Sequence, residues 1–307
     1  MNILIVGLGS IATKHINALK EVCGQVNIFA LRSKPGSEIV EGITNIYDLD
    51  DTDTVFDFAI ISNPTNLHYG FIELLADKGV DLFIEKPPVS SLENIDALIE
   101  KVDSSKSASY VACNLRFHPC LQFLKKKLSD SPKRINEVNI YCGSYLPDWR
   151  PGKNFREIYS ANPEMGGGVH LDLFHELDYT YWLFGKPNKT SSIKRNVSSL
   201  EIKAYDYANY LFEYDGFAAN IVMNYFRRDA KRTIEILFED ETWTVDLIRN
   251  TITDNNRAII FSDNSFGVLK TYTDQMNYFI NTLKVGKEQM NTFAESVEVL
   301  KLCLSNE

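Results

Sequence analysis

Apolar and polar positions in the first third of the chain alternate between two periods. Residues Asn2–Val6 form a short apolar run of the kind that a strand buried on both faces requires. It stops at Gly7-Leu8-Gly9-Ser10-Ile11-Ala12. Beyond it Ile11, His15, Ala18, Leu19 and Val22 recur at helical spacing until Gly24. Further β-rich runs cover 26–31 and 55–62. Asn63-Pro64 reads as the cap and first turn of a helix carrying Leu67, Phe71, Leu74 and Leu75 on one face and stopping at Gly79. A strand at 81–85 and a Ser90-x-x-Glu93 capping box follow. A helix burying Ile95, Leu98, Ile99 and Val102 and a strand at 110–113 complete the rhythm. Strands that alternate with helices predict an α/β fold with a doubly wound parallel sheet, which takes ligands outside the carboxyl ends of its strands.

The pattern then changes. Leu121, Phe123, Leu124 and Leu128 predict a helix leading into a strand at 134–145, and a second helix covers 171–184. Beyond 190 the chain is strand-rich, at 191–197, 204–214, 217–226, 231–239, 242–248 and 258–261. Tyr214-Asp215-Gly216 and Glu239-Asp240-Glu241 read as hairpin turns. Helices return at 271–284 and 292–303. Two domains are expected, a dinucleotide-binding domain over 1–118 and a second α/β domain over 119–307, whose C-terminal helices have the option of packing back on the first.

Composition adds exclusions. With 44% hydrophobic and 24% charged residues, the chain has the make-up of a soluble globular protein. A net charge of −9 argues against a nonspecific nucleic-acid or anionic-membrane binder, which phosphate groups would repel. The five cysteines are scattered with no CxxC pair, as for reduced thiols rather than a disulfide framework or zinc ribbon. No apolar run has the length of a membrane span. The expected location is the cytoplasm.

The chemistry begins at the glycines. Gly7-x-Gly9-x-x-Ala12 between a strand and a helix is a dinucleotide fingerprint in its required context. Gly7 permits the tight turn, Gly9 the close approach of a pyrophosphate, and Ala12 close helix–sheet packing. Ser10 and Ile11 then open the helix whose N-terminus faces the phosphates. Leu31 is followed by Arg32, Ser33 and Lys34, where an acid would select NAD. These residues suit a 2′-phosphate, so NADP(H) is favoured, with NAD(H) as the alternative; the bland reading is a basic surface loop. Phe83-Ile84-Glu85-Lys86-Pro87-Pro88 ends a strand on the same rim. A lysine held there beside Glu85, on a backbone fixed by two prolines, suits proton exchange with a substrate oxygen. Without the glycine loop it would be only a solvated charge in a turn.

Five segments now combine: "GLGSIA" at 7–12, "SNPTNLH" at 62–68, "EKPP" at 85–88, "NLRFHP" at 114–119 and "GGGVHLDLFHELD" at 166–178. In content and order they resemble the glucose–fructose oxidoreductase / inositol dehydrogenase / MocA (Gfo/Idh/MocA) family. The resemblance implies an N-terminal Rossmann domain and a C-terminal α/β domain with an open, largely antiparallel sheet that builds homodimers or homotetramers. It implies pyridine-nucleotide-dependent oxidation or reduction of sugar or cyclitol hydroxyls, with Lys86 as the catalytic lysine and a cis Lys86–Pro87 bond. Ser62, Asn63, Pro64, His68 and Glu85 map near the cofactor, and Arg116 maps to the entry of the second domain, as a substrate contact.

Asp172 and His175 stand three apart where the family has four. Both spacings place neighbours on one helix. His175 is the candidate acid/base, and Asp172 binds a hydroxyl or tunes Lys86; the bland reading makes one a helix-dipole acid and the other a core residue. His170-x-Asp172-x-x-His175 also suits a metal, but nothing else supports one and none is expected. Between them and the preceding strand lies 145–168. In it Trp149, Phe155 and Tyr159 suit stacking on a sugar or base, and Arg150, Lys153 and Arg156 suit an anion. It resembles a family branch of bacterial surface-sugar biosynthesis and hints at a nucleotide-linked or acidic sugar; oligomer packing would use the same residues. The reading is an NAD(P)-dependent sugar dehydrogenase or reductase. The alternatives are a glycosidase-like hydrolase that uses bound NAD transiently, and a non-catalytic nucleotide-binding regulator.

Overall fold

The structure is a computed structural model that describes residues 1–130, 133–286 and 289–305. It divides into two compact units, Met1–Asn114 with Val268–Glu298, and Leu115–Gly267 with Val299–Glu307.

The first unit opens with β1 (Asn2–Val6), α1 (Ser10–Cys23), β2 (Asn27–Leu31) and β3 (Ile43–Ile46). It continues through β4 (Phe58–Ile61), α2 (His68–Asp77), β5 (Asp81–Ile84), α3 (Ile95–Ser104) and β6 (Ser109–Val111). The strands form a parallel six-stranded sheet in the order β3-β2-β1-β4-β5-β6. Winding reverses between β1 and β4, so the crevice outside their carboxyl ends is where a ligand binds in such a sheet. Burial on both faces explains the unbroken apolar runs: Ile3, Leu4, Ile5 and the whole of β4 are fully buried. The periodicity missed β3. Its sequence, Ile-Thr-Asn-Ile, is too short and mixed to stand out, and pairing with β2 defines it.

Two expected caps are corrected. The side chain of Asn63 does not cap a helix: a short 3-10 turn (Thr65–Leu67) precedes α2, and no cap bond is made. The capping box at Ser90 and Glu93 is absent as well. Ser91 accepts the Glu93 amide at 3.1 Å, and α3 starts at Ile95 behind Asn94 in left-handed backbone. A true capping box joins Asp48 and Asp51 in the turn after β3.

The second unit contains α4 (Pro119–Asp130), β7 (Ile135–Tyr145), α5 (Val169–Asp172), α6 (His175–Phe184) and β8 (Lys189–Arg195). Then come β9 (Tyr207–Glu213), β10 (Ala218–Asn224), β11 (Phe226–Phe238), β12 (Thr242–Asp246), β13 (Thr251–Thr253) and β14 (Ile259–Ser262). Eight strands pair in the order β14-β13-β12-β11-β7-β10-β9-β8. Every pairing is antiparallel except β7 with β10. Both expected hairpins connect as read, β9 to β10 and β11 to β12.

The helix expected over 171–184 is two helices. α5 ends at Asp172, Leu173 leaves helical geometry at φ −93 and ψ 31, and α6 starts at His175. Asp172 and His175 therefore do not share one regular helical face.

The chain then returns. α7 (Lys270–Val285) packs against α1 in the first unit, where Phe279 meets Phe58 and Phe83 edge to face at centroid distances of 5.1 and 5.2 Å. The last helix, α8 (Phe293–Cys303), is divided between the units.

Candidate functional site

In the first unit, β1 ends where Gly7 takes φ +84. A Cβ there would lie 2.7 Å from the Asn63 Cα, closer than real contacts allow, so only glycine fits. At Gly9 a Cβ would meet nothing within 4 Å; the room above that backbone is open. Gly9 is in extended backbone and makes no side-chain cap, leaving the first N–H groups of α1 directed outward. Val6, Gly7, Leu8 and Gly9 from this turn line a cleft of 830 Å³ with Arg32, Ser33, Ser62, Asn63 and Pro64, and with Asp48 and Asp50 from the turn after β3.

The residues fit a dinucleotide on two observations besides the volume. A Cβ-free turn faces open space, and both polar atoms of the Asn63 amide are buried without a hydrogen-bond partner among the described residues. Ser62 donates its hydroxyl to the Gly7 carbonyl at 2.9 Å and ties the two loops together. Arg32 is half-buried, with a guanidinium nitrogen 3.5 Å from the Asn45 side-chain oxygen. Lys34 is exposed and does not line the cleft. Ser10 and Ile11 lie at the start of α1 outside the lining, and Ala12 is fully buried where helix meets sheet.

Lys86 leaves β5 on a cis Lys86–Pro87 bond, half-buried. Glu85 does not reach the cleft. One carboxylate oxygen takes a close hydrogen bond from His15 Nε2, and the other accepts the backbone N–H of Lys86 at 3.1 Å. Burial alone would raise the Glu85 carboxyl, but the His15 hydrogen bond and the nearby charges of His15 and Lys86 prevail and hold it below its usual range. His15 was legible only as one position of an apolar stripe. His68 is also withdrawn from the cleft: 1% exposed, it contacts the Pro88 carbonyl through Nδ1 at 3.1 Å and the Asn63 carbonyl through Nε2 at 2.9 Å. Burial pushes its ring below the ordinary value, while the two carbonyls act the other way.

In the second unit Asp172 and His175 are half-buried. Tyr225, fully buried, donates its hydroxyl to Asp172 Oδ2 at 2.5 Å. Burial, then the Asp172 charge, keeps that phenol protonated, well above its ordinary value. No sequence pattern singled out Tyr225. Trp149 lies edge-on to the Tyr225 ring, with centroids 5.3 Å apart, and donates its indole N–H to Ser144 at 2.9 Å. Tyr159 donates to the Gly166 carbonyl at 2.8 Å. Arg150 is exposed, and exposed Arg156 lies over Phe155 with a Glu201 oxygen at 3.7 Å.

Arg116, expected at the entry of the second domain, lies in the interior. It is 1% exposed and holds Asp178 of α6 with Nε 3.0 and Nη2 2.7 Å from the carboxylate oxygens. Through this internal fork Arg116 braces α6. The neighbouring Glu176 is braced likewise by Arg232 of β11, at 2.6 and 2.9 Å. The acid of each pair lies in the helix that His175 begins.

Among the described residues no group of three or more His, Cys, Asp or Glu is placed to hold a metal, and no helix is long and apolar enough to cross a membrane.

Comparison with known proteins bears on both units. Residues 1–112 match the family described as "Oxidoreductase family, NAD-binding Rossmann fold", and residues 133–244 match "GFO/IDH/MocA C-terminal domain". UDP-N-acetylglucosamine 3-dehydrogenase of Acidithiobacillus ferrooxidans is 22% identical over 252 residues, which cover 81% of this chain and 74% of that one. Inositol 2-dehydrogenase of Rhizobium meliloti is 28% identical over 131 residues, covering 42% of this chain but only 37% of the relative. Among solved structures, the WlbA dehydrogenase of Bordetella pertussis, in complex with NADH and UDP-GlcNAcA, superposes with a TM-score of 0.80 at 18% identity. That match covers 98% of this chain and 93% of the other.

Proposed function

As the chain belongs to the Gfo/Idh/MocA family of oxidoreductases with an NAD-binding Rossmann domain, we propose that it is an NAD(P)-dependent dehydrogenase or reductase of a sugar hydroxyl or carbonyl. The observation that carries this reading is the Gly7/Gly9/Asn63 cradle, with a lysine held at the exit of β5 in the same unit. When bound, the nicotinamide supplies the hydride donor or acceptor. Gly7, Gly9 and the N-terminus of α1 bind the pyrophosphate, and Asn63 offers its unpartnered amide to the cofactor. Lys86 donates a proton to the reacting oxygen or takes one from it. In the second unit His175 serves as acid/base, and Asp172, oriented by the Tyr225 hydroxyl, binds a substrate hydroxyl.

The substrate class is a nucleotide-linked or acidic sugar. The relatives named for UDP-sugars support it, as do the cations and aromatic rings of 145–168. NADP(H) is the preferred cofactor, a reading supported by Arg32 and Ser33 in the lining of the cleft, where a cation and a hydroxyl suit a 2′-phosphate. A homo-oligomer built through the C-terminal sheet completes the proposal.

The test is turnover of UDP-N-acetylglucosamine, inositols and sugar acids, followed by the absorbance of reduced nicotinamide. Lys86→Ala and His175→Ala are each expected to lose at least about 100-fold in kcat, in line with the usual worth of a general acid or base, while still binding NADH. Full turnover in either variant removes that residue from the mechanism. A cofactor that turns over without net NAD(P)H release would instead identify the hydrolase reading.

A further inference from the structure

We propose that His15 and His68 are positioning residues for Lys86, tying the turn that carries it to the two helices beside the nucleotide cleft. The inference rests on the reading of Lys86 as catalytic.

The turn Glu85-Lys86-Pro87-Pro88 is gripped on both sides of the lysine by a buried imidazole. On the N-terminal side, His15 of α1 is 0% exposed and gives Nε2 to one Glu85 oxygen, whose partner oxygen receives the Lys86 backbone N–H at 3.1 Å. The ring is wedged edge-on between Phe83 at 4.9 Å and Tyr272 at 5.7 Å, and its Nδ1 has no hydrogen-bond partner among the described residues. Its polar contact is therefore spent on Glu85. On the C-terminal side, His68, the first residue of α2, stands between the Pro88 and Asn63 carbonyls at 3.1 and 2.9 Å. Asn63 in turn is the residue whose Cα closes against Gly7.

Each helix thus has a cofactor-facing end and a hold on the lysine's turn. α1 offers its N-terminus behind Gly9 and holds Glu85; α2 follows the Asn63 loop and holds Pro88. A purely structural role does not explain the choice of residues. Two apolar side chains would fill the same space without taking an imidazole and a carboxylate out of water. They would lack a directional grip on the backbone of the lysine, and a displacement of about 1 Å at a reacting group costs on the order of 100-fold in rate.

The experiment uses the full chain in four forms: parent, His15→Gln, His68→Gln and Glu85→Gln. The last preserves volume and serves if a histidine variant folds poorly. Lysines are reductively methylated with carbon-13, and the Lys86 resonance is assigned by its loss in Lys86→Arg. The expected result is a shifted or broadened Lys86 resonance in each variant and NADH binding within about threefold of parent. With UDP-N-acetylglucosamine as probe substrate, kcat should fall roughly 10- to 100-fold, with no further fall when combined with Lys86→Ala. An unmoved resonance, or losses that add fully to that of Lys86→Ala, overturns the proposal. If Lys86→Ala keeps its turnover, the catalytic reading fails by itself, and the resonance alone then decides whether the histidines position the lysine.

Discussion

Gly7 and Gly9 look alike in sequence and fail differently when changed. A methyl at Gly7 meets the Asn63 backbone in a conformation that already disfavours side chains, so Gly7→Ala is expected to lower both thermal stability and NADH affinity. At Gly9 the methyl enters open space that a pyrophosphate would fill. Gly9→Ala should melt within a degree or two of parent, roughly the shift of a few tenths of a kcal/mol, yet bind NADH weakly. Calorimetry beside fluorescence titration separates the two. The cofactor preference turns on one cation: Arg32→Ala is expected to weaken NADPH by about tenfold, roughly 1.4 kcal/mol, for the loss of a charge-assisted contact, and to leave NADH unchanged. If parent binds NADH more tightly, Asp50 on the same cleft becomes the candidate for the ribose hydroxyls. Lys86 was visible as a candidate because strand end, acid and prolines are adjacent in the chain. The partner of Glu85 was not, because a histidine on an apolar stripe looks the same whichever group it meets, and His15 lies 70 residues away.

At the scale of elements, α5 and α6 show where periodicity falls short. Apolar spacing runs smoothly from 171 to 184, and only backbone geometry reveals the break at Leu173 that sets Asp172 and His175 on different helices. Two ion pairs then hold α6, the buried Arg116 with Asp178 and the part-buried Arg232 with Glu176. In the first, both side chains are 1% exposed, so removing one partner strands a charge in the interior. Arg116→Met is expected to destabilise by about 3–5 kcal/mol, whereas Arg116→Met with Asp178→Leu should recover most of that loss. Denaturant titration of the two variants checks it. If the double variant is no more stable than the single, the cost is one of packing and not of charge.

For the whole molecule, acid sensitivity follows from its buried histidines. Burial lowers His118 to about 4 and His170 to about 3, and shifts His68 in the same direction. Unfolded, these rings titrate near 6.5, so below that pH the unfolded chain binds protons that the folded chain refuses. Unfolding free energy should therefore fall as pH drops from 6.5 through about 4, by up to ~1.4 kcal/mol per pH unit for each such group. Glu85 adds to the loss only at lower pH: its carboxyl is held below the usual range, so its contribution is complete above about 4.5 and disappears as pH falls through the lowered value. Urea midpoints from pH 7 downward test the sum, and His118→Gln should flatten the slope.

Local order along the chain was enough for the parallel sheet, the glycine turn, the hairpins and the lysine at a strand's end. Each depends on neighbours in sequence, through periodicity, turn geometry and proline. Tertiary contact alone settled that β3 is a strand, that Arg116 faces Asp178, that Tyr225 fixes Asp172, and that two histidines hold the turn of Lys86. These are pairings between distant residues whose energies arise from exclusion of water and from hydrogen-bond geometry, and neither has a period that a linear pattern can display.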